Sequence, residues 1–223
     1  MNYEKTNVSE LRATAEQIVA VAYKTDFRDG SAESVKPTAE EGRKYKVGDV
    51  ITFYLDNDEK VEAMAVKQDR DNMIFCFVNC LSDEFPMNNG ATDKGGYEVS
   101  DLRETLKSKI LPRFPDHIKE MLVPFMNGDL LRIPTEKEIF GENIHGIDEP
   151  DTVTQWEPMK LRKNRIAFQG FNGYMEWYWL QNPWRHDVVS STFFVFVASD
   201  GYAYASSSSY PSGVRPTFQI LNL

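Results

Sequence analysis

Cysteine and histidine are scarce in this chain of 223 residues, two and three respectively, and their placement removes several chemistries at once. His117, His145 and His186 are scattered and no CxxC or HExxH arrangement exists, so zinc has little support. Cys76 and Cys80 fall in an apolar run that reads as a strand, where residues four apart lie ~13 Å from each other on one face, beyond disulfide reach. Free thiols are expected, as in a protein made in a reducing cytosol; a phage particle assembled there and released later would carry the same pair. No run approaches the roughly 20 apolar residues of a bilayer span, and residues 1–10 hold no apolar core. The expectation is cytoplasmic synthesis without a signal peptide, no membrane insertion, and virion association as an alternative fate. Basic residues are outnumbered, 25 against 34 acidic, and the net charge of −9 would repel a phosphate backbone. Nucleic acid is therefore not an expected partner. Nucleophile elbows and phosphate-cradling glycine loops are also missing, so neither an enzyme nor a cofactor is expected.

What is present suits a globular protein: 41% hydrophobic and 26% charged residues, in a chain long enough for one sizeable core. Leu11, Ala15, Ile18, Val19 and Ala22 recur at helical spacing behind an Asn7/Glu10 capping box, which predicts a helix over 8–23. Its narrow, alanine-rich stripe would pack weakly on the body or pair with a second copy, so a homo-oligomer through this helix is one expectation. Residues 24–44 read as a linker, dividing the chain into 1–44 and a domain at 45–223. Apolar runs at 50–55, 61–66 and 73–81 predict a β-meander. Leu102, Leu106 and Ile110 mark a short helix closed by Pro112. Ile118, Met121, Leu122 and Phe125 mark a second opened by Pro115, and Thr135 with Glu138 caps a third that ends at Gly141.

The last third is different. Half of the 28 aromatic residues lie between Phe168 and Phe218, under a quarter of the chain. Residues 192–198 read as a buried strand, 199–201 as a hairpin turn, 202–205 as the returning strand and 214–221 as a closing strand that starts near Pro216. Trp177 and Trp179 share one face of a strand whose other face carries Tyr178 and Leu180, which predicts a central strand and core packing for both indoles. Trp184, Arg185 and His186 follow Pro183 in a loop, where an indole beside a guanidinium serves equally as a contact surface or a partly buried anchor. Tyr202, Tyr204 and Tyr210 flank the serines 206–209, Ser207 among them, a mixture of rigid rings and adaptable hydroxyls that makes effective contact surfaces; the plain alternative is a surface loop beside one packed tyrosine face. Arg215, inside the final strand, is expected as an ion-pair partner that closes the fold.

The order of landmarks carries a resemblance. Ser100-Asp101-Leu102-Arg103, then Leu131-Arg132-Ile133-Pro134-Thr135-Glu136-Lys137-Glu138, Trp177-Tyr178-Trp179-Leu180-Gln181-Asn182-Pro183, Asp200-Gly201 and Gly213-Val214-Arg215-Pro216 resemble an uncharacterised bacterial and phage family similar to C-type-lectin folds. Sulfatase-modifying-factor-like domains and retroelement-diversified binding proteins are among its relatives. The likeness spans residues 46–223 and implies an α+β, C-type-lectin-like domain: short helices packed on small antiparallel sheets, with Trp177, Trp179, Gly213 and Arg215 as structural motif. Where the family places Arg-Ser before the proline, this chain has Gln181 and Asn182, which replace any ion pair there by amide hydrogen bonds. The formylglycine-generating relatives use a cysteine pair near the C-terminus; this chain has none after Cys80. Asp148, Glu149 and Asp151 could offer oxygens to calcium, but a solvated acidic loop is the better reading, and no metal is expected.

These observations point to a non-catalytic module that binds a glycan or a cell-surface protein through Trp184, Arg185, His186, Tyr202, Tyr204, Ser207 and Tyr210. The rival expectations are an assembly component of a phage particle and an enzyme related to the sulfatase-modifying group.

Overall fold

A computed structural model of the protein describes residues 45–185 and 192–222. The expected helix over 8–23, the linker over 24–44 and His186 lie outside these described residues. The first three apolar runs form antiparallel neighbours β1 (Val50–Tyr54), β2 (Lys60–Asp69) and β3 (Asn72–Phe77). The turns between them pass through Asp58 and Arg70 at φ 59° and 53°, left-handed positions of the kind tight hairpins demand. Helix α1 (Asp101–Thr105) starts at a Ser100 side chain that accepts the Arg103 amide, and it continues through a π turn, Leu106–Ile110, and a 3-10 turn, Leu111–Arg113. Next come α2 (Asp116–Lys119), β4 (Leu122–Val123), α3 (Glu136–Phe140) and α4 (Arg162–Arg165). The chain then runs through β5 (Ala167–Phe168), β6 (Met175–Glu176), β7 (Tyr178–Pro183), β8 (Phe193–Val197), β9 (Ala203–Ser207) and β10 (Thr217–Leu221).

Strand β10 returns between β3 and β4, giving an antiparallel sheet in the order β1-β2-β3-β10-β4; β5-β6 and β7-β8-β9 form two smaller sheets. The architecture is α+β, mostly antiparallel sheet with a few short helices. One sequence expectation is corrected here: the spacing of Ile118, Met121, Leu122 and Phe125 predicts a helix, yet α2 ends at Lys119 and Leu122 enters β4. Gln219 and Ile220 offer main-chain partners at the sheet edge, and that tertiary pairing overrides a short local propensity.

The run at 73–81 lacks alternation because β3 is buried on both faces. Met73, Phe75 and Phe77 enter one core with Phe53, Phe114 and Phe218, whereas Ile74 and Cys76 enter a second with Trp156, Tyr178 and Leu180. Ala63 and Ala65 join the first core and Val66 the second by ordinary alternation, and a bulge between Ala65 and Lys67 then shifts the register against β3. In the first core Phe75 stacks on Phe218 at 5.5 Å and Phe53, Phe77 and Phe114 surround Phe218 at 5.8–6.4 Å, pairs worth about 0.5–1.5 kcal/mol each beyond area burial. The small sheet β7-β8-β9 extends the same division: Trp179, Phe194 and Phe196 face the first core, and Tyr178, Leu180, Val195 and Val197 the second.

Candidate ligand-binding groove

Cross-strand pairing builds the candidate site. Trp179 on β7 stands opposite Phe196 on β8, and Phe196 stands opposite Tyr204 on β9, so three rings share one face in register. Trp179 is buried beneath, edge-on to Phe196 at 6.3 Å, its indole N–H donating to the Phe85 carbonyl at 2.9 Å. Trp177, one step before β7, lies parallel to Phe196 at 4.9 Å, and Tyr204 lies nearly parallel to the same ring at 6.0 Å. Phe196 is thus sealed at 6% exposure, while Trp177 and Tyr204 keep 48% and 47%. The expected core role of Trp177 is corrected: it stands one residue before β7 and keeps nearly half of its surface in solvent. The expectation of a central strand also fails within the small sheet, where β7 is an outer member.

The opposite wall is the loop Tyr210-Pro211-Ser212. With Trp177, Trp179, Phe196 and Ser206 it encloses a groove of about 260 Å³. Gly213 sets the width of that groove. Its amide donates to the Trp177 carbonyl at 2.8 Å and its carbonyl accepts the Trp179 amide at 3.2 Å. A Cβ there would stand 2.5 Å from the Trp177 carbonyl oxygen and 2.6 Å from Cys80 Sγ, so only glycine permits this approach. The Ser212 hydroxyl donates to the same Trp177 carbonyl, and the exposed Tyr210 ring forms the outer lip.

Charge is confined to the rim. The half-buried carboxylate of Glu176 accepts the Trp177 amide at 2.7 Å. Burial first, and the neighbouring Glu84 carboxylate second among the raising causes, push its pKa above the ordinary carboxyl value. The Tyr204 hydroxyl donates to Asp200 at 3.3 Å, and the negative charge of Asp200 raises the phenol's pKa. Tyr202, half exposed, lies under the Arg162 guanidinium at 5.4 Å.

The other expected contact residues divide. Trp184 is half-buried against Phe193 at 5.7 Å, and Arg185 pairs with Asp148 at 2.5 Å; both follow the far end of β7, away from Trp177. Ser207 bonds Ser209 through their hydroxyls at 3.1 Å, and Ser208 is fully buried, so the serines are a strand end and a structural turn, not a free loop. Tyr210 therefore lines the groove and Tyr204 stacks on Phe196 beside it, whereas Trp184 and Arg185 lie apart from it. Sequence reasoning missed Phe196, Ser206, Pro211 and Ser212. The period-2 register of 193–197 against 203–207 carried the signal for the first two.

Arg215 is fully buried, but the expected ion pair is replaced: its guanidinium donates to the Phe77 and Asn164 carbonyls and to the Tyr178 hydroxyl, at 2.9, 3.3 and 3.0 Å. Among the described residues a buried ion pair joins Arg132 to Glu138, bidentate at 2.6 and 2.7 Å. Gln181 and Asn182 bond through their amides, Gln181 Nε2 to the Ile133 carbonyl and Asn182 Nδ2 to Glu149, while Asn182 Oδ1 accepts the Glu136 amide. The acidic loop is tied down: Glu149 accepts the Lys137 amide, and Asp151 pairs with the Lys137 ammonium. Among the described residues no cluster of three His, Cys, Asp or Glu side chains could hold a metal ion, and no helix is long and apolar enough to cross a membrane. Comparison of the chain with protein-family models, curated proteins and solved structures finds no match.

Proposed function

We propose that this protein is a non-catalytic recognition module whose ligand seats in the groove between Trp177 and Tyr210. The observation that carries this reading is the exposure of Trp177 and Tyr210, at 48% and 64%, on opposite sides of one concave surface, with the exposed Tyr204 stacked on the Phe196 ring of its floor. Aromatic rings gain most by leaving water, and contiguous exposed apolar surface marks contact sites. Among the described residues the lining supplies ring faces and hydroxyls without Lys, Arg, His, Asp, Glu or Cys, a chemistry of contact that suits a sugar ring or an apolar side chain. With no cation among the described lining residues and the Glu176 carboxylate next to Trp177, an uncharged or cationic ligand is favoured over an anion. A C-type-lectin-like assignment is our reading of the motif order. The α+β build of short helices on small antiparallel sheets supports it, as does the burial of the whole closing segment 213–216.

The test is to probe the chain against a glycan array and a displayed random-peptide library, beside the Trp177→Ala/Tyr210→Ala variant. Binding by the native protein that the variant loses is expected. Absence of any ligand, or equal capture by the variant, would overturn the proposal.

A further inference from the structure

Strand β9 is the outer member of the three-stranded sheet, and the parity of its ladder shows which main-chain groups face outward. Ala198 donates its amide to the Tyr202 carbonyl at 2.9 Å, and Ser208 donates to the Thr192 carbonyl at 2.7 Å. Hydrogen-bonded pairs alternate along an antiparallel ladder, so Tyr204 and Ser206 exchange bonds with their partners Phe196 and Phe194. Ala203, Ala205 and Ser207 turn their amides and carbonyls away from β8. The Ala203 carbonyl meets His145 Nε2 at 3.1 Å, and the Ser207 carbonyl accepts the Tyr210 amide at 3.0 Å. Among the described residues nothing bonds the Ala205 amide, the Ala205 carbonyl or the Ser207 amide. Both residues are half-buried, and the Ser206 between them lines the groove.

We infer that this edge and the groove form one site, whose ligand is an extended peptide segment of basic and apolar character that pairs with β9 through Ala205 and Ser207 and sets one side chain into the groove. The inference rests on the reading of the groove as a binding surface and names its occupant. Proteins blunt sheet edges that are not meant to pair with lysine, proline or a bulge. The β9 sequence Ala-Tyr-Ala-Ser-Ser contains no charge and no proline, and its register with β8 runs without a break. Main-chain groups at alternate residues, ~7 Å apart, match the repeat of an extended peptide; side chains of such a peptide fall alternately toward the groove and away from it. Charge selects the composition. Glu176 and Glu84 crowd each other beside Trp177, and a lysine or arginine in the peptide would relieve that repulsion.

Proline at position 205 separates this site from a groove that merely holds a sugar. The Ala205 amide takes no part in the β8 ladder, so Ala205→Pro removes the outward donor and leaves the sheet bonds in place. The probe is the tightest peptide selected from a displayed random library on the native chain, synthesised and titrated by calorimetry. Enrichment of Lys or Arg is expected, together with a loss of about tenfold or more in affinity in Ala205→Pro at unchanged Tm. N-methylation of alternate peptide amides should abolish binding to the native chain, a readout that holds even if the proline variant fails to fold. Peptide binding indifferent to both changes would overturn the inference. A selection that yields no peptide, beside a glycan array that gives a Trp177-dependent sugar, would overturn the inference and leave the groove reading standing. Silence from both would sink the groove reading itself.

Discussion

Arg215 holds three parts of the chain together with no carboxylate among the described residues to balance it. Its guanidinium takes the Phe77 carbonyl beyond β3, the Asn164 carbonyl in α4 and the Tyr178 hydroxyl on β7, with the Tyr178 ring 4.7 Å below the charge. Removing the donors strands buried acceptors, which costs more than the bonds themselves contribute. Arg215→Met is expected to destabilise the protein by on the order of 3 kcal/mol, seen as a lower urea midpoint with an unchanged m-value. Glu176 gives a pH signature of known sign. Its folded pKa is raised by burial and by Glu84, so the folded state holds this proton more tightly than the unfolded state. The group therefore favours folding below the ordinary carboxyl pKa and loses that contribution as pH rises through its raised value. Glu176→Gln should gain Tm relative to the native protein near neutral pH, and thermal melts of the two should converge in acid. Residue types alone revealed the buried Trp179 and Arg215. They did not reveal Trp177, because the exposure of an indole depends on whether a facing layer reaches it, and no local pattern encodes that reach.

At the scale of elements, the strongest local signals held. Helix α3 starts at the Thr135 capping box and ends at Gly141, which adopts φ 85°, as the spacing of threonine, glutamate and glycine predicts. Thr135 accepts the Glu138 amide while Glu138 accepts the Thr135 amide, and Glu138 also grips Arg132. Thr135→Ala should cost about 1 kcal/mol by chemical denaturation, the value of a lost cap. The meander over β1 to β3 and the β8-β9 hairpin were legible for the same reason: apolar runs bounded by turn residues. Leu122 in β4 was not, since a two-residue strand exists only where β10 supplies its partner. The Arg132–Glu138 pair was equally hidden, six residues apart in sequence but joined only once α3 packs beside the strand-like entry to it.

At the scale of the whole molecule, the two cores explain why exposed rings lie where they do. The central strand β3 feeds both, and the small sheet β7-β8-β9 continues both, so Phe194 and Trp179 are enclosed. Toward Trp177 and Tyr210 that enclosure ends, leaving Trp177 stacked on Phe196 and both rings open to solvent. Sequence reading groups Trp184, Arg185, Tyr202, Tyr204 and Tyr210 in one expected contact surface; the structure places Tyr210 in the groove lining and Tyr204 on Phe196, whereas strand β7 carries Trp184 and Arg185 to its opposite end, where Arg185 pairs with Asp148. On the proposed function, these open rings bind while the enclosed ones hold the fold. Calorimetric titration of the tightest probe from the array or library into the native chain and into Trp177→Ala/Tyr210→Ala, with a thermal melt of each, tests it most directly. About a tenfold or greater loss of affinity with little change in Tm is expected; equal affinity, or a variant that unfolds because those rings were holding the core, would refute a binding role for them.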